Sequence, residues 1–86
     1  MQLERPKGRR FLVLDSCDNV ATLLDEELKM QCLDNGMVIN WNIPFGHKIS
    51  LHPIAMGEAI IKYGVRVGVA TSFIEKGEHV HVHNCK

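Results

Sequence analysis

Short alternations of apolar and polar residues run along most of the chain and predict an all-β fold. Apolar residues at every second position from Val65 to Ala70 have the two-residue period of a β-strand. Further strands are predicted over Phe11–Leu14, Val20–Leu24, Met37–Trp41, around Ile49 and Leu51, and over Glu78–His83. Asp25–Gln31 has good helix formers but is long enough only for a single helical turn. A loop is predicted over Asn42–His47, because this segment contains a proline and a glycine.

One turn sequence occurs twice along the chain. Ile54 to Ile60 matches Ile74 to Val80: an isoleucine, two variable residues, Gly-Glu and then a strand. Glycine at this point permits a positive φ angle, and we expect each isoleucine to anchor its turn in the core. The spacing of these and other turn signals is typical of an all-β domain.

The composition indicates one small domain with no net charge. The chain has 86 residues, and its 10 Lys and Arg balance its 10 Asp and Glu. Nucleic-acid binding draws its affinity from neutralising phosphates, so zero net charge argues against it, and equally against electrostatic docking to a membrane. A small, uncharged domain with a thin core is better stabilised inside a complex.

The ends of the chain and its cysteines suggest a cytoplasmic protein. Residues 1–10 are polar and contain Pro6 and Gly8, so we expect a flexible N-terminal arm before a domain over residues 11–86. The start has no apolar stretch like that of a signal peptide, and no apolar run is long enough to span a bilayer. The 3 cysteines match no zinc spacing and are read as thiols of a reducing compartment.

Histidines alternate with valines in the last predicted strand, which makes it the first candidate for chemistry. His79, His81 and His83 would point outward, with Val80 and Val82 inward. Residues i and i+2 of a strand lie about 6.5–7 Å apart on one face, so neighbouring imidazoles could chelate a divalent ion or act as acid and base. A solvated polar face is the alternative reading of the same pattern.

Three other segments carry polar side chains in turns. His47-Lys48 could bind an anion, Lys62 could bind a carboxylate, and Asp15 to Asn19 contains two carboxylates. Composition alone favours structural readings for all three, namely a surface turn, a hairpin corner beside Tyr63, and a turn stabilised by side-chain hydrogen bonds.

Five segments taken in order resemble the SAF domain of the altronate/galactarate dehydratase family, which also contains the small subunit of sulfolactate sulfo-lyase. They are Asp18-Asn19-Val20-Ala21, Gly46-His47-Lys48-Ile49, Ile60-Ile61-Lys62-Tyr63-Gly64, Val67-Gly68-Val69-Ala70-Thr71 and Gly77-Glu78-His79-Val80-His81-Val82-His83-Asn84. The likeness covers about Leu12 to Asn84. It implies a β-clip, a compact set of short strands folded over in hairpins.

The resemblance also implies a role in an elimination reaction. Family members remove water or sulfite from hydroxy acids and commonly depend on a divalent metal, often Fe²⁺. The SAF domain is either the N-terminal part of a sugar-acid dehydratase or a separate small subunit, and this chain resembles the separate form, which pairs with a large catalytic subunit. Carried over to this sequence, His79 and His81 are the expected metal or acid–base contacts, and His47, Lys48, Lys62 and His83 the expected contacts to substrate.

Two other functions fit the same residues. One is a non-catalytic SAF module that binds carbohydrate, metal or a partner protein. The other is a small regulatory protein that binds a metal tightly through the histidines without a partner. In either case an unmatched sheet face could make the isolated chain a homodimer.

Overall fold

The computed structural model describes residues 8–86, and its strands form two antiparallel sheets. In chain order the strands are β1 (Phe11–Leu12), β2 (Val20–Leu23), β3 (Lys48–Ser50), β4 (Ala59–Lys62), β5 (Val65–Val69) and β6 (His79–Val80). One sheet has the order β1-β2-β3-β6, and β4 and β5 form a separate hairpin. Residues 8–86 contain no helix, which confirms the predicted all-β class.

Strand β2 lies at the centre of the fold and is buried on both faces. All of its residues are buried, because alternate side chains enter two different apolar clusters. Val20 packs in one cluster with Ile54, Ile60, Ala70, Ile74 and Val80. Ala21 and Leu23 pack in the other with Leu33, Ile39, Ile43 and Ile49. The four-stranded sheet therefore separates two small aliphatic cores.

The repeated turn sequence builds two structurally equivalent halves. The backbone N–H of Ile54 donates to the carbonyl of Ile74 and the reverse, both at 2.8 Å, and both side chains are fully buried. Gly57 has a φ of 86° and Gly77 a φ of 83°, as the sequence predicted. The strand pairs repeat in the same way. Ile49 pairs with His79 in one half, and Val69 pairs with Ala59 at the corresponding positions of the other half. The two halves are related by a local pseudo-twofold.

The N-terminal part of the described chain is anchored by one buried arginine. Arg9 is fully buried, and its Nε donates to Asp25 Oδ1 at 2.8 Å. Its other guanidinium nitrogens donate to the carbonyls of Ile43 and Asp25. The predicted arm covered residues 1–10; residues 1–7 lie outside the described part, and Arg9 belongs to the folded domain.

Two predicted elements take other forms. Instead of a helical turn, Asp25–Gln31 contains a non-helical turn at Leu28–Lys29, because the Asp25 carboxylate is held by Arg9 and the backbone N–H of Arg10. The predicted strand Met37–Trp41 is reduced to an isolated bridge between Cys32 and Val38. Within residues 8–86, no helix is long and apolar enough to cross a membrane.

Candidate functional site

The last predicted strand ends early, and this changes the arrangement of its histidines. Strand β6 stops at Val80, and the chain turns over residues 82–84. Val82, predicted to point inward, is 83% exposed, so that part of the prediction is wrong. The cause is Asn84, whose buried side chain accepts the N–H of His81 and donates to the carbonyl of His79, at 3.0 and 2.9 Å. These bonds replace the pairing that a longer strand would need.

Strand register brings His47 to the same place as His79 and His81. Lys48 pairs with Val80 and Ile49 with His79, so the next positions outward are His47 and His81. Positions that alternate along paired strands share one face, which places these histidines on the Ile49 side of the sheet. The site therefore forms at the edge of the sheet where β3 begins and β6 ends.

The three imidazoles are in direct contact. The ring centroids of His47 and His81 lie 4.1 Å apart with an interplanar angle of 14°. His47 Nδ1 and His79 Nε2 are 3.0 Å apart, so one ring donates a hydrogen bond to the other. One ring nitrogen from each histidine lies within 4.8 Å of the other two. We call His47, His79 and His81 the histidine triad.

The surroundings of His79 and His81 favour the uncharged form of these two imidazoles. Partial burial, then the nearby charge that His47 and His83 would carry, lowers the pKa of His79 to about 4. Burial and the neighbouring His47 and Lys48 also lower the pKa of His81. At neutral pH these rings keep a nitrogen lone pair available to accept a proton or bind a metal.

The other predicted contacts divide between the triad's edge and a second cluster. His83 is exposed, and its ring centroid lies 5.4 Å from that of His79. Lys48 alternates with His47 and so points to the opposite face, beside Thr22. Lys62 Nζ lies 4.8 Å from the centre of the Tyr63 ring, and the Tyr63 hydroxyl is 3.2 Å from Thr22 Oγ1. His47 thus joins His79 and His81, whereas Lys62 belongs to a separate group.

Three exposed apolar side chains lie close in sequence to residues of the site. Trp41, Phe45 and Val82 are 54%, 56% and 83% exposed, and each is close in sequence to a residue of the site. Trp41 follows Asn40, whose side chain accepts the N–H of His79 at 3.0 Å. Phe45 precedes His47 by two positions, and Val82 follows His81. We call Trp41, Phe45 and Val82 the apolar rim.

Sequence reasoning missed the supporting asparagines. Asn40 and Asn84 fix the backbone on either side of the triad through the hydrogen bonds given above. Asn84 ends the His-Val-His-Val-His pattern, and a turn-forming residue at that point is the one signal that could have predicted the bend. Asn40 lies far away in sequence, so no local pattern could reveal its role.

The donor set of the triad suits a transition metal. Imidazole nitrogen is a ligand for zinc, iron, copper and nickel, whereas magnesium and calcium prefer oxygen. Three protein ligands with an open position are typical of catalytic metal sites. The residues present therefore fit the divalent metal that the sequence resemblance implies.

Comparison with known proteins agrees with this architecture. The sequence model of the altronate/galactarate dehydratase SAF domain family matches residues 9–86. The (2R)-sulfolactate sulfo-lyase subunit alpha of Chromohalobacter salexigens is 35% identical, over 88% of this chain and 92% of that subunit. The altronate dehydratases of Bacillus subtilis and Escherichia coli are each 36% identical, over 91% and 90% of this chain. Both of those alignments cover 16% of the dehydratase, so the chain spans nearly all of one relative and a small part of the others. This lyase-associated chain belongs to the altronate/galactarate dehydratase SAF domain family.

Proposed function

We propose that this chain is the small subunit of a sugar-acid dehydratase and supplies one wall of an active site shared with a large catalytic subunit. The enzyme would eliminate water from a hydroxy acid. The observation that carries the proposal is the histidine triad at the edge of the sheet. The exposed side chains of the apolar rim, close to it in sequence, support it. The near-complete coverage of a sulfo-lyase subunit alpha supports the separate-subunit form.

Elimination requires two kinds of group, and the triad can supply either of them, but not both at once. A base must remove the proton next to the carboxylate, and an acid or metal must assist departure of the hydroxyl. With no metal ion on its nitrogen, a neutral imidazole such as His79 could accept a proton and share it with His47 through their hydrogen bond. A bound divalent metal would polarise an oxygen of the substrate. Lys48 points to the opposite face of the sheet, but its positive charge still acts on His79 and His81 and would favour a carboxylate bound there.

An assay of the separated and mixed subunits tests this function. Elimination from altronate, galactarate and sulfolactate would be followed under anaerobic conditions with Fe²⁺. The samples are this chain, the large family subunit of the same organism, and both together. We expect activity only in the mixture, because neither subunit holds the complete site.

Variants in the mixture separate a catalytic contribution from simple assembly. We expect His81→Ala to abolish most of the activity, and His52→Ala, at an exposed histidine outside the triad, to preserve it. Full activity of the large subunit alone, unchanged by this chain, would contradict the proposal and leave a binding module. Activity on sulfolactate but not on the sugar acids would retain the shared site and replace the substrate.

A further inference from the structure

The ligand nitrogens of the histidine triad lie unusually close together. Over residues 8–86, His47, His79 and His81 are the one group of three or more metal-ligating side chains with donor atoms this close, all within 4.8 Å. From the sequence, His79 and His81 are the expected metal ligands and His47 an expected contact to substrate. The structure instead places one ring nitrogen of His47 within 4.8 Å of those of His79 and His81.

The backbone around the triad is fixed before any ligand binds. His79 lies in β6 opposite Ile49, and its N–H is also bonded to Asn40. The N–H of His81 is held by Asn84. Three imidazoles from two paired strands can therefore meet one ion through changes in side-chain rotation alone, and this reduces the entropic cost of binding.

The charge of the ligands indicates which kind of external group would bind a metal ion held by the triad. The triad contributes only neutral nitrogen donors. The nearest acid in sequence, Glu78, has both oxygens engaged: Oε1 accepts the N–H of Glu75 at 2.9 Å, and Oε2 accepts the amide of Asn84 at 3.1 Å. A divalent ion held by the triad would keep its charge, so its open position would favour an anionic oxygen from outside this chain.

We propose that His47, His79 and His81 together bind one divalent transition-metal ion, with an open position for a carboxylate or hydroxyl oxygen. The role of that ion rests on the proposed lyase function, whereas the binding itself rests on the geometry of the triad. The two can therefore fail separately. His83 lies outside the ligand set, since its ring is tilted by 51° to that of His79 and it is exposed.

Metal titration of the intact chain tests the site without an activity assay. Zn²⁺ binding would be measured by isothermal titration calorimetry, and Co²⁺ binding by its visible absorption spectrum, which reports the number and type of ligands. We expect one ion per chain and a spectrum typical of nitrogen ligands with low coordination number. Adding acetate should alter the Co²⁺ spectrum, because the open position would accept the carboxylate.

Single substitutions identify the ligands. We expect His47→Ala and His81→Ala each to weaken binding by more than the roughly 10–100-fold typical of losing a supporting hydrogen bond. His83→Ala and His52→Ala are matched controls and should leave the affinity unchanged. Thermal unfolding of each metal-free variant verifies that it is folded, and His47→Gln provides a second variant should His47→Ala fail.

Several results would overturn the proposal. They are the absence of binding at millimolar metal, unchanged affinity in folded His47 variants, and loss of binding in His83→Ala, which would indicate an exposed chelating pair. Metal binding without lyase activity in the mixed-subunit assay would keep the site and reject the proposed function. Lyase activity without metal binding would keep the proposed function and reject the metal site.

Discussion

Asp18 joins distant parts of the chain through a single carboxylate. Its Oδ1 accepts the N–H of Gly64 at 2.8 Å, and its Oδ2 accepts that of Leu14 at 3.4 Å. Beside it, the Asn19 side chain accepts the N–H of Ile61 and donates to the carbonyl of Ala59, at 2.7 and 2.8 Å. These bonds hold the β4–β5 hairpin against β2 and join the Asp-Asn segment to the Lys-Tyr-Gly segment of this chain.

The Asp18 carboxylate gives the fold a dependence on acid. Desolvation raises the pKa of this group, but hydrogen bonds from the N–H groups of Gly64, Tyr63 and Leu14 outweigh it and hold the pKa below the ordinary value of an aspartate. The unfolded chain therefore binds this proton more tightly. The stabilisation is complete above about pH 4 and is lost as pH falls through the folded-state pKa.

We expect Asp18→Asn to reduce the loss of stability in acid. Asparagine keeps one acceptor oxygen but does not ionise, so the plot of unfolding free energy against pH should be shallower below about pH 4. Urea unfolding at a series of pH values from about 2 to about 7 measures this dependence of the unfolding free energy on pH. Asp34→Asn, at an exposed carboxylate, is the control and should retain the slope. An identical slope in the Asp18 variant would show that its hydrogen bonds do not depend on ionisation.

Sequence patterns revealed these residue types but not their partners. Asp15 to Asn19 was predicted to be a turn with local side-chain hydrogen bonds, and one such bond exists, from Cys17 N–H to Asp15 Oδ1 at 2.8 Å. Asp18 and Asn19 also bind groups 40 or more positions away. Periodicity describes neighbours within about one turn or strand, so contacts set by the fold lie beyond it.

At the level of elements, the repeated turns offer two equivalent positions with different surroundings. Gly57 and Gly77 have φ angles of 86° and 83°. A Cβ on Gly57 would meet nothing within 4 Å, whereas one on Gly77 would lie 2.2 Å from the carbonyl oxygen of Val38. Gly77 also accepts, through its carbonyl, the N–H of Asn40 at 2.9 Å. The second turn is thus packed against the loop that supports His79.

Alanine at the two positions separates backbone strain from crowding. Gly57→Ala should cost ~1–2 kcal/mol, the penalty for an L-residue in the left-handed region. Gly77→Ala should cost about 1–3 kcal/mol more, because the Val38 backbone must move. Chemical denaturation of both variants checks this difference. Equal losses would mean that the Val38 loop yields freely, and Gly77→Ala should also disturb metal binding whereas Gly57→Ala should not.

Strand boundaries were predicted less well than strand identity. Local alternation identified β2 and β5 to within one residue. It extended β6 through His83, because nothing in the His-Val alternation reveals that the Asn84 side chain takes over the hydrogen bonds of His79 and His81. For the candidate site, spacing pointed to His79, His81 and His83, and the family resemblance singled out the first two. The register that adds His47 is a property of the paired strands.

At the scale of the whole molecule, the apolar rim is the surface that we expect the large subunit to cover. Exposed aromatic and aliphatic side chains around a polar centre resemble the composition of protein interfaces. Trp41 is the single tryptophan of the chain and is therefore a specific reporter. Homodimer formation through the same surface stays a prediction for the isolated chain.

Fluorine NMR of 5-fluorotryptophan at Trp41 can detect this contact without interference from tryptophans of the partner. We expect its signal to shift and broaden when the unlabelled large subunit is added, because the half-exposed indole would leave water. Phe45→Ala should weaken the complex, and Phe73→Ala, an equally exposed phenylalanine remote in sequence, should not. A complex detected by sedimentation with an unchanged fluorine signal would place the interface elsewhere.

The pseudo-twofold has a consequence for how the chain reaches its native state. Only β4 and β5 are joined by a two-residue hairpin loop, Tyr63–Gly64. β3 must find β6 across the whole of that hairpin, and Ile54 must find Ile74 on the way. A hairpin forms in about 1–10 μs, whereas pairing of distant strands slows folding to about milliseconds to seconds. Because His47 precedes β3 and His79 begins β6, we expect this late closure to assemble the histidine triad, so a nascent chain has no triad until His81 has been made.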